Sequence, residues 1–155
     1  MKKIIGAIAV FVITYALFSA AGYLFPVDQE WYNSLKKPDW TPSGSAIGII
    51  WAILFALISL SAAIIYAAFS FKGAKSFWFA LLINYVLNQA FSYFQFTQKN
   101  LLAASIDCLL VAITAIVLLI IAKKYSRAAS YLLLPYFLWS AFATFLSFTI
   151  DSMNL

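Results

Sequence analysis

Asn84, Asn88, Phe91 and Gln95 recur at intervals of 4, 3 and 4 residues, which stacks three carboxamides and one aromatic ring on a single face of a helix. They lie in an apolar run, where a polar side chain is costly unless it is satisfied. Two roles fit them: interhelical amide bonds worth about 0.6–2 kcal/mol each, or the polar edge of a ligand chamber. Trp51 and Trp139 favour a chamber, because membrane tryptophans ordinarily stay at the headgroup level. At about 1.5 Å per residue, Trp51 lies roughly 8 Å, Asn88 roughly 12 Å and Trp139 roughly 16 Å below the ends of their runs that adjoin segment 26–45. Asp107 stands roughly 9 Å inside its own run, on a face with Leu110, Val111 and Thr114. It is either protonated or hydrogen-bonded within the bundle, and with no second intramembrane acid or base to complete a proton relay, a helix–helix bond is expected.

Other chemistries lack their parts. Histidine is absent and cysteine occurs once, at Cys108, which excludes a zinc site, a disulfide framework, a histidine triad and histidine-ligated haem. No resident cofactor or metal is expected.

The elements that must position these residues follow from composition. Of 155 residues, 65% are hydrophobic and 10% charged, with a mean hydropathy of +0.96; soluble domains run to about 45–50% and about 25%. Lipid is therefore the main solvent. Five apolar stretches stand out, Ile4 to Phe25, Ala46 to Phe71, Phe77 to Phe96, Leu101 to Ala122 and Tyr131 to Ile150. Each approaches or exceeds the roughly 20 residues that a helix needs to cross the hydrocarbon, and none alternates as a barrel strand would. The expectation is a single all-α integral membrane domain over 1–155, a five-transmembrane-helix bundle with a long structured loop between its first two helices. The start of the chain also resembles a signal peptide, with two lysines, an apolar run and the small residues Ser19, Ala20 and Ala21. Apolar character continuing through Tyr23, Leu24 and Phe25 instead makes it the first span.

Charge then orients the bundle. Lys2, Lys3, Lys72, Lys75, Lys123, Lys124 and Arg127 fall on the side of the N-terminus with no acid among them. Lys36, Lys37 and Lys99 share the other side with Asp28, Glu30, Asp39 and Asp151. The positive-inside rule puts the N-terminus in the cytoplasm and the C-terminus and loop 26–45 outside, and it accounts for the net charge of +5 without any nucleic acid. That loop is far longer than the usual 2–8-residue helix connection. With Trp31, Tyr32, Pro38, Trp40 and Pro42 it suits either a stiff apolar lid or a set of interfacial anchors. Pro135 is expected to bend the last helix, and Tyr125 sits in a loose L-x-Y-x-R cholesterol pattern. Gly6, Ser19, Gly22, Ser59 and Ala63 allow close helix contacts.

The lid series Trp31, Tyr32, Leu35, Lys37, Pro38, Trp40, Thr41 and Pro42, with Trp51, with Leu87, Asn88, Phe91 and Ser92, and with Pro135, Tyr136, Trp139, Phe142, Ala143 and Thr144, resembles the TspO/MBR family of tryptophan-rich sensory proteins and translocator proteins. The resemblance spans nearly the whole chain. Departures are Phe91 where the family often has Trp, Asn84 for Gln, Ser43 for a second Pro, Ser147 for Asn, and the missing basic residue that would complete a sterol-recognition stretch after Tyr136. The resemblance implies a bacterial cell-membrane protein, commonly a homodimer, that binds protoporphyrin IX or related tetrapyrroles and synthetic benzodiazepine-site ligands under the lid. It implies a ligand site of Trp31, Tyr32, Pro42, Trp51, Phe55, Asn84, Asn88, Phe91, Gln95, Asp107, Trp139, Phe142 and Ala143. It also implies light- and oxygen-dependent porphyrin degradation, with Trp51 and Trp139 as redox partners facing each other across the chamber. Transport of small apolar molecules and a regulatory partner role are the alternatives. Lys36 or Lys37 could meet the propionates of such a ligand.

Overall fold

The computed structural model describes all 155 residues, and it is all-helical. Helix α1 runs Lys2–Leu24, the short α2 Gln29–Ser34, α3 Gly44–Phe69, α4 Lys75–Ser92, α5 Leu101–Tyr125 and α6 Arg127–Met153. A 3-10 turn, Lys72–Ala74, leads into α4, and a π-turn, Tyr93–Thr97, continues it. Of these, α1, α3, α5 and α6 are long and apolar enough to cross a membrane. The fifth expected span is the place of α4, whose 18 residues carry Asn84, Asn88 and Gln89 and are less apolar for that reason.

Side-chain caps set the boundaries and explain where they differ from the apolar runs. Ser43, Asn100 and Ser126 each accept a hydrogen bond from the backbone N–H three residues on, at 3.1, 3.0 and 3.1 Å. Capping satisfies a donor that the first turn would otherwise leave orphaned. Helix α6 therefore begins at Arg127 rather than at Tyr131, and only Ser126 separates it from α5. Two further reversals pass through Ser70 and Lys99, the two non-glycine residues with positive φ, 59° and 53°. Pro135 lies within α6, which runs through it without a break.

Small side chains let the helices close on one another, the usual solution where lipid offers no hydrophobic drive. Ala104, Ser105, Cys108, Ala112, Ala115 and Ala122 are buried small residues of α5, which packs against α6 and α4, and Ser105 and Cys108 meet Ser147 and Thr144 of α6. Polar bonds stitch the α5–α6 seam, Ser105 to Ser147 at 2.8 Å and Ser130 Oγ to the Leu119 carbonyl at 2.9 Å. Ser61 of α3 donates to the Ala129 carbonyl of α6 at 2.9 Å. Gly6 brings α1 against α3: a Cβ there would come within 2.6 Å of the Tyr66 ring, whereas one at Gly22 would meet nothing within 4 Å. Tyr125, the centre of the cholesterol-like pattern, bonds Ser76 at 2.7 Å and packs on Phe69, a structural role. Phe18, Leu54, Ile58, Ile65, Phe77, Leu118, Leu133 and Tyr136 belong to the core.

Candidate functional site

The segment joining α1 to α3 is a lid fastened at several points. Asp28 caps α2 by accepting from the Trp31 N–H at 3.1 Å, and its other oxygen pairs with Lys99 at 2.9 Å. Those donors, the Lys99 ammonium foremost, hold its carboxyl below the ordinary value of 3.8. At the far end, Asn154 grips the backbone of Lys36 on both sides, accepting from its N–H at 3.0 Å and donating to its carbonyl at 2.8 Å. Trp40 stacks on Phe145, with centroids 5.5 Å apart and planes at 19°, and meets Phe142 edge-on at 5.8 Å. Tyr32 packs against Phe96. Half-burial raises the Tyr32 phenol above its ordinary value. Lys37 is spent inside the lid, donating to the carbonyls of Tyr32 and Leu35 at 2.7 and 3.2 Å, which leaves Lys36 as the exposed ammonium of the pair. Trp31, beneath Lys99, and Pro42 are half-buried.

Under the lid, Trp51 of α3 packs on Phe55 at 5.5 Å and on the edge of Tyr136 at 6.2 Å. Trp139 of α6 packs on Phe142 at 5.2 Å. The two indoles make no ring contact with each other. Tyr136, one turn before Trp139, fills the place against Trp51 instead. Ala143 and Phe91 are half-buried on α6 and α4.

The carboxamide face divides into two parts. Asn84 donates to Thr114 at 2.8 Å and to the Val111 carbonyl at 3.2 Å, and accepts from the Tyr136 hydroxyl at 2.7 Å. That hydroxyl accepts from Asn88 at 3.1 Å, and Asn88 accepts from Gln89 at 3.2 Å. Gln89 then clasps α1, donating to the Phe18 carbonyl and accepting from the Ala21 N–H, both at 2.9 Å. One polar chain thus links α5, α4, α6 and α1. Gln95 stands outside it, because the π-turn changes the helical phase before the face reaches that residue.

A second polar set has no partners at all. Gln95 Oε1, Asp107 Oδ2, Trp139 Nε1 and Ser140 Oγ are enclosed and make no hydrogen bond. The helix–helix bond expected for Asp107 is not formed: α5 turns this residue inward with Cys108 and Val111, while Leu110 faces out, and no donor reaches the carboxyl. An unpaired carboxylate so placed would be very costly, which favours the neutral acid. Native interiors leave few polar atoms unmatched.

A cavity of about 480 Å³ is a groove between α3 and α6 lined by Ile50, Ile53, Leu54, Leu57, Pro135, Leu138, Trp139 and Phe142. A smaller one of about 200 Å³ lies between α1 and α4, around Phe18, Trp78 and Tyr85. Trp139 lines the larger cavity and Trp51 lines neither.

Tyr136, Gln89, Thr114, Ser140 and Asn154 hold or complete this region and were not among the expected site residues. Gln89 carried a signal, being a fourth carboxamide in the same run one position off the counted face, which directs it toward another helix. Asn154 lies beyond the last apolar run and carried none.

The chain resembles several curated proteins, two of them along essentially its whole length. It is 96% identical over 155 residues to the "Uncharacterized membrane protein YtaB" of Bacillus subtilis, covering 100% of both chains. It is 58% identical over 154 residues to the tryptophan-rich protein TspO of Bacillus cereus, covering 99% of both. With the human translocator protein it shares 27% identity over 123 residues, 78% of this chain and 73% of that one. The profile of the TspO/MBR family matches residues 7–153, and this integral membrane protein belongs to that family.

Proposed function

We propose that this chain is a membrane-embedded tetrapyrrole-binding protein that controls the fate of free porphyrin, protoporphyrin IX being the reference ligand. The observation that carries the reading is that four enclosed polar atoms, on Gln95, Asp107, Trp139 and Ser140, have no partners. Such atoms need a guest that is mostly apolar and brings a few donors and acceptors. A flat macrocycle with pyrrole N–H groups and carboxylate edges has that character. Trp51, Phe55, Phe91, Phe142 and Ala143 would supply its walls, Asn84 and Asn88 the rigid floor, and Tyr32, Trp31 and Pro42 the cover. The exposed Lys36 would supply an ammonium for a propionate. The same walls suit synthetic benzodiazepine-site ligands.

Breakdown of the ligand under light and oxygen belongs to this proposal. A photoexcited porphyrin is an oxidant, and indole is the most readily oxidised ordinary side chain, which assigns Trp51 and Trp139 as electron donors. The mode of assembly goes with it: five spans with α4 and its π-turn as the third, the N-terminus in the cytoplasm of a bacterial cell, and a homodimer. Titrating the purified protein with protoporphyrin IX in darkness should quench tryptophan emission, and illumination should then bleach the porphyrin. Replacing Trp51 and Trp139 together by Phe should preserve binding and stop the bleaching. Unchanged bleaching would remove the chemical role, and absence of quenching would remove the ligand.

A further inference from the structure

The lid has four independent fastenings: the Asp28–Lys99 ion pair, the Asn154 clasp on Lys36, the Trp40 stack on Phe142 and Phe145, and the Tyr32 contact with Phe96. Opening it from the aqueous side would break all of them together. On the flank of the bundle the situation is reversed. The groove between α3 and α6 has a volume of about 480 Å³, within the roughly 300–1,000 Å³ of small-molecule sites. Its eight lining residues are seven hydrophobic side chains, Trp139 among them, and Pro135; the Trp139 N–H is enclosed and has no acceptor. From Ile50 to Leu57 and from Pro135 to Phe142 the groove follows each helix for about 10 Å, inside the apolar length of both. Its rim residues Ile53 and Leu138 are 55% and 56% exposed, and in a membrane-crossing helix that exposure is to acyl chains.

We propose that this groove is a lateral port, through which a flat apolar ligand dissolved in the bilayer reaches Trp139 without the lid opening. The inference rests on the ligand class of the preceding section and adds its route. A planar hydrophobic molecule partitions into hydrocarbon before it meets any protein, so the port stands where the ligand is concentrated. No conformational change in the lid is needed, and the desolvation of the ligand has already occurred in lipid. The arriving molecule first meets the Trp139 ring at the groove wall, while the indole N–H itself is enclosed.

Two measurements test the port. In vesicles with protoporphyrin IX as the probe, Ile53→Phe with Leu138→Phe narrows the rim with residues that already face lipid. This variant should slow association about tenfold at nearly unchanged affinity, since a port governs rate rather than the bound state. A short bis-maleimide cross-link between Asp28→Cys and Lys99→Cys, formed in a Cys108→Ala background, locks the lid and should leave association as fast as in the parent. Slow association in the locked protein, with normal association in the narrowed one, overturns the proposal. The second measurement needs no porphyrin. Emission assigned to Trp139, taken as the difference from Trp139→Phe, should be quenched by phospholipids brominated at mid-chain, and less so when the rim is narrowed. Failure of porphyrin binding alone would refute the ligand class and leave this result standing. A Trp139 emission untouched by brominated lipid, as when a second copy of the chain covers the groove, would refute the port.

Discussion

Tyr136 is the residue on which the interior turns. It is fully buried, its ring edge supports Trp51, and its hydroxyl joins Asn84 to Asn88. Tyr136→Phe keeps the ring and strands an acceptor on Asn84 and a donor on Asn88, so it should destabilise the fold by about 1–2 kcal/mol. Unfolding in mixed micelles would measure this, and a shift in Trp51 emission would report the loosened floor. Asp28 gives a prediction in pH. Its carboxyl sits below 3.8 when paired, so the ion pair contributes fully above the ordinary carboxylate range and is lost as pH falls through the lowered value. The lid should therefore stay shut from neutral pH down to mild acid and loosen only in stronger acid, with Trp31 emission following the change. Asp28→Asn should abolish that transition. A lid that loosened near neutral pH would point to a different latch.

At the scale of elements, close approach of α1 and α3 depends on Gly6 lying beneath the Tyr66 ring. Gly6→Leu must displace the Tyr66 ring from its seat against α1 and should cost about 1 kcal/mol, the low end of the range for overpacking. Gly22→Leu, on the same helix but facing open space, should be nearly neutral. Comparing the two by thermal unfolding in detergent separates packing from any general effect of losing a glycine in α1. Equal costs would show that the α1–α3 contact does not carry stability.

For the whole molecule, helix succession gathers Lys2, Lys72, Lys75, Lys124 and Arg127 at one end and the lid with Lys99 and Asn154 at the other. In a Cys108→Ala background, cysteines placed at Lys72 and Lys124 should react with an impermeant thiol reagent from the same side of the membrane, and one at Lys36 from the opposite side. Reaction of the Lys124 position from the lid side would mean that α4 does not cross.

What the sequence determined by itself was the solvent and the periodicity. Mean hydropathy and runs near 20 residues fix helices in lipid, because each backbone polar group must find its partner within its own segment there. The common face of Asn84 and Asn88 was legible for the same reason, since a helix converts residue number directly into face. The partners were not legible. Asn84 could have bonded any neighbour; only the packing of α4 against α5 and α6 chose Thr114 and Tyr136. The π-turn that removes Gln95 from the amide chain, the Asn154 clasp on a residue 118 positions away and the lack of any donor for Asp107 all arise where separate helices meet. Local sequence sets what one helix presents, whereas contacts between helices depend on rotations and distances that the whole bundle settles together.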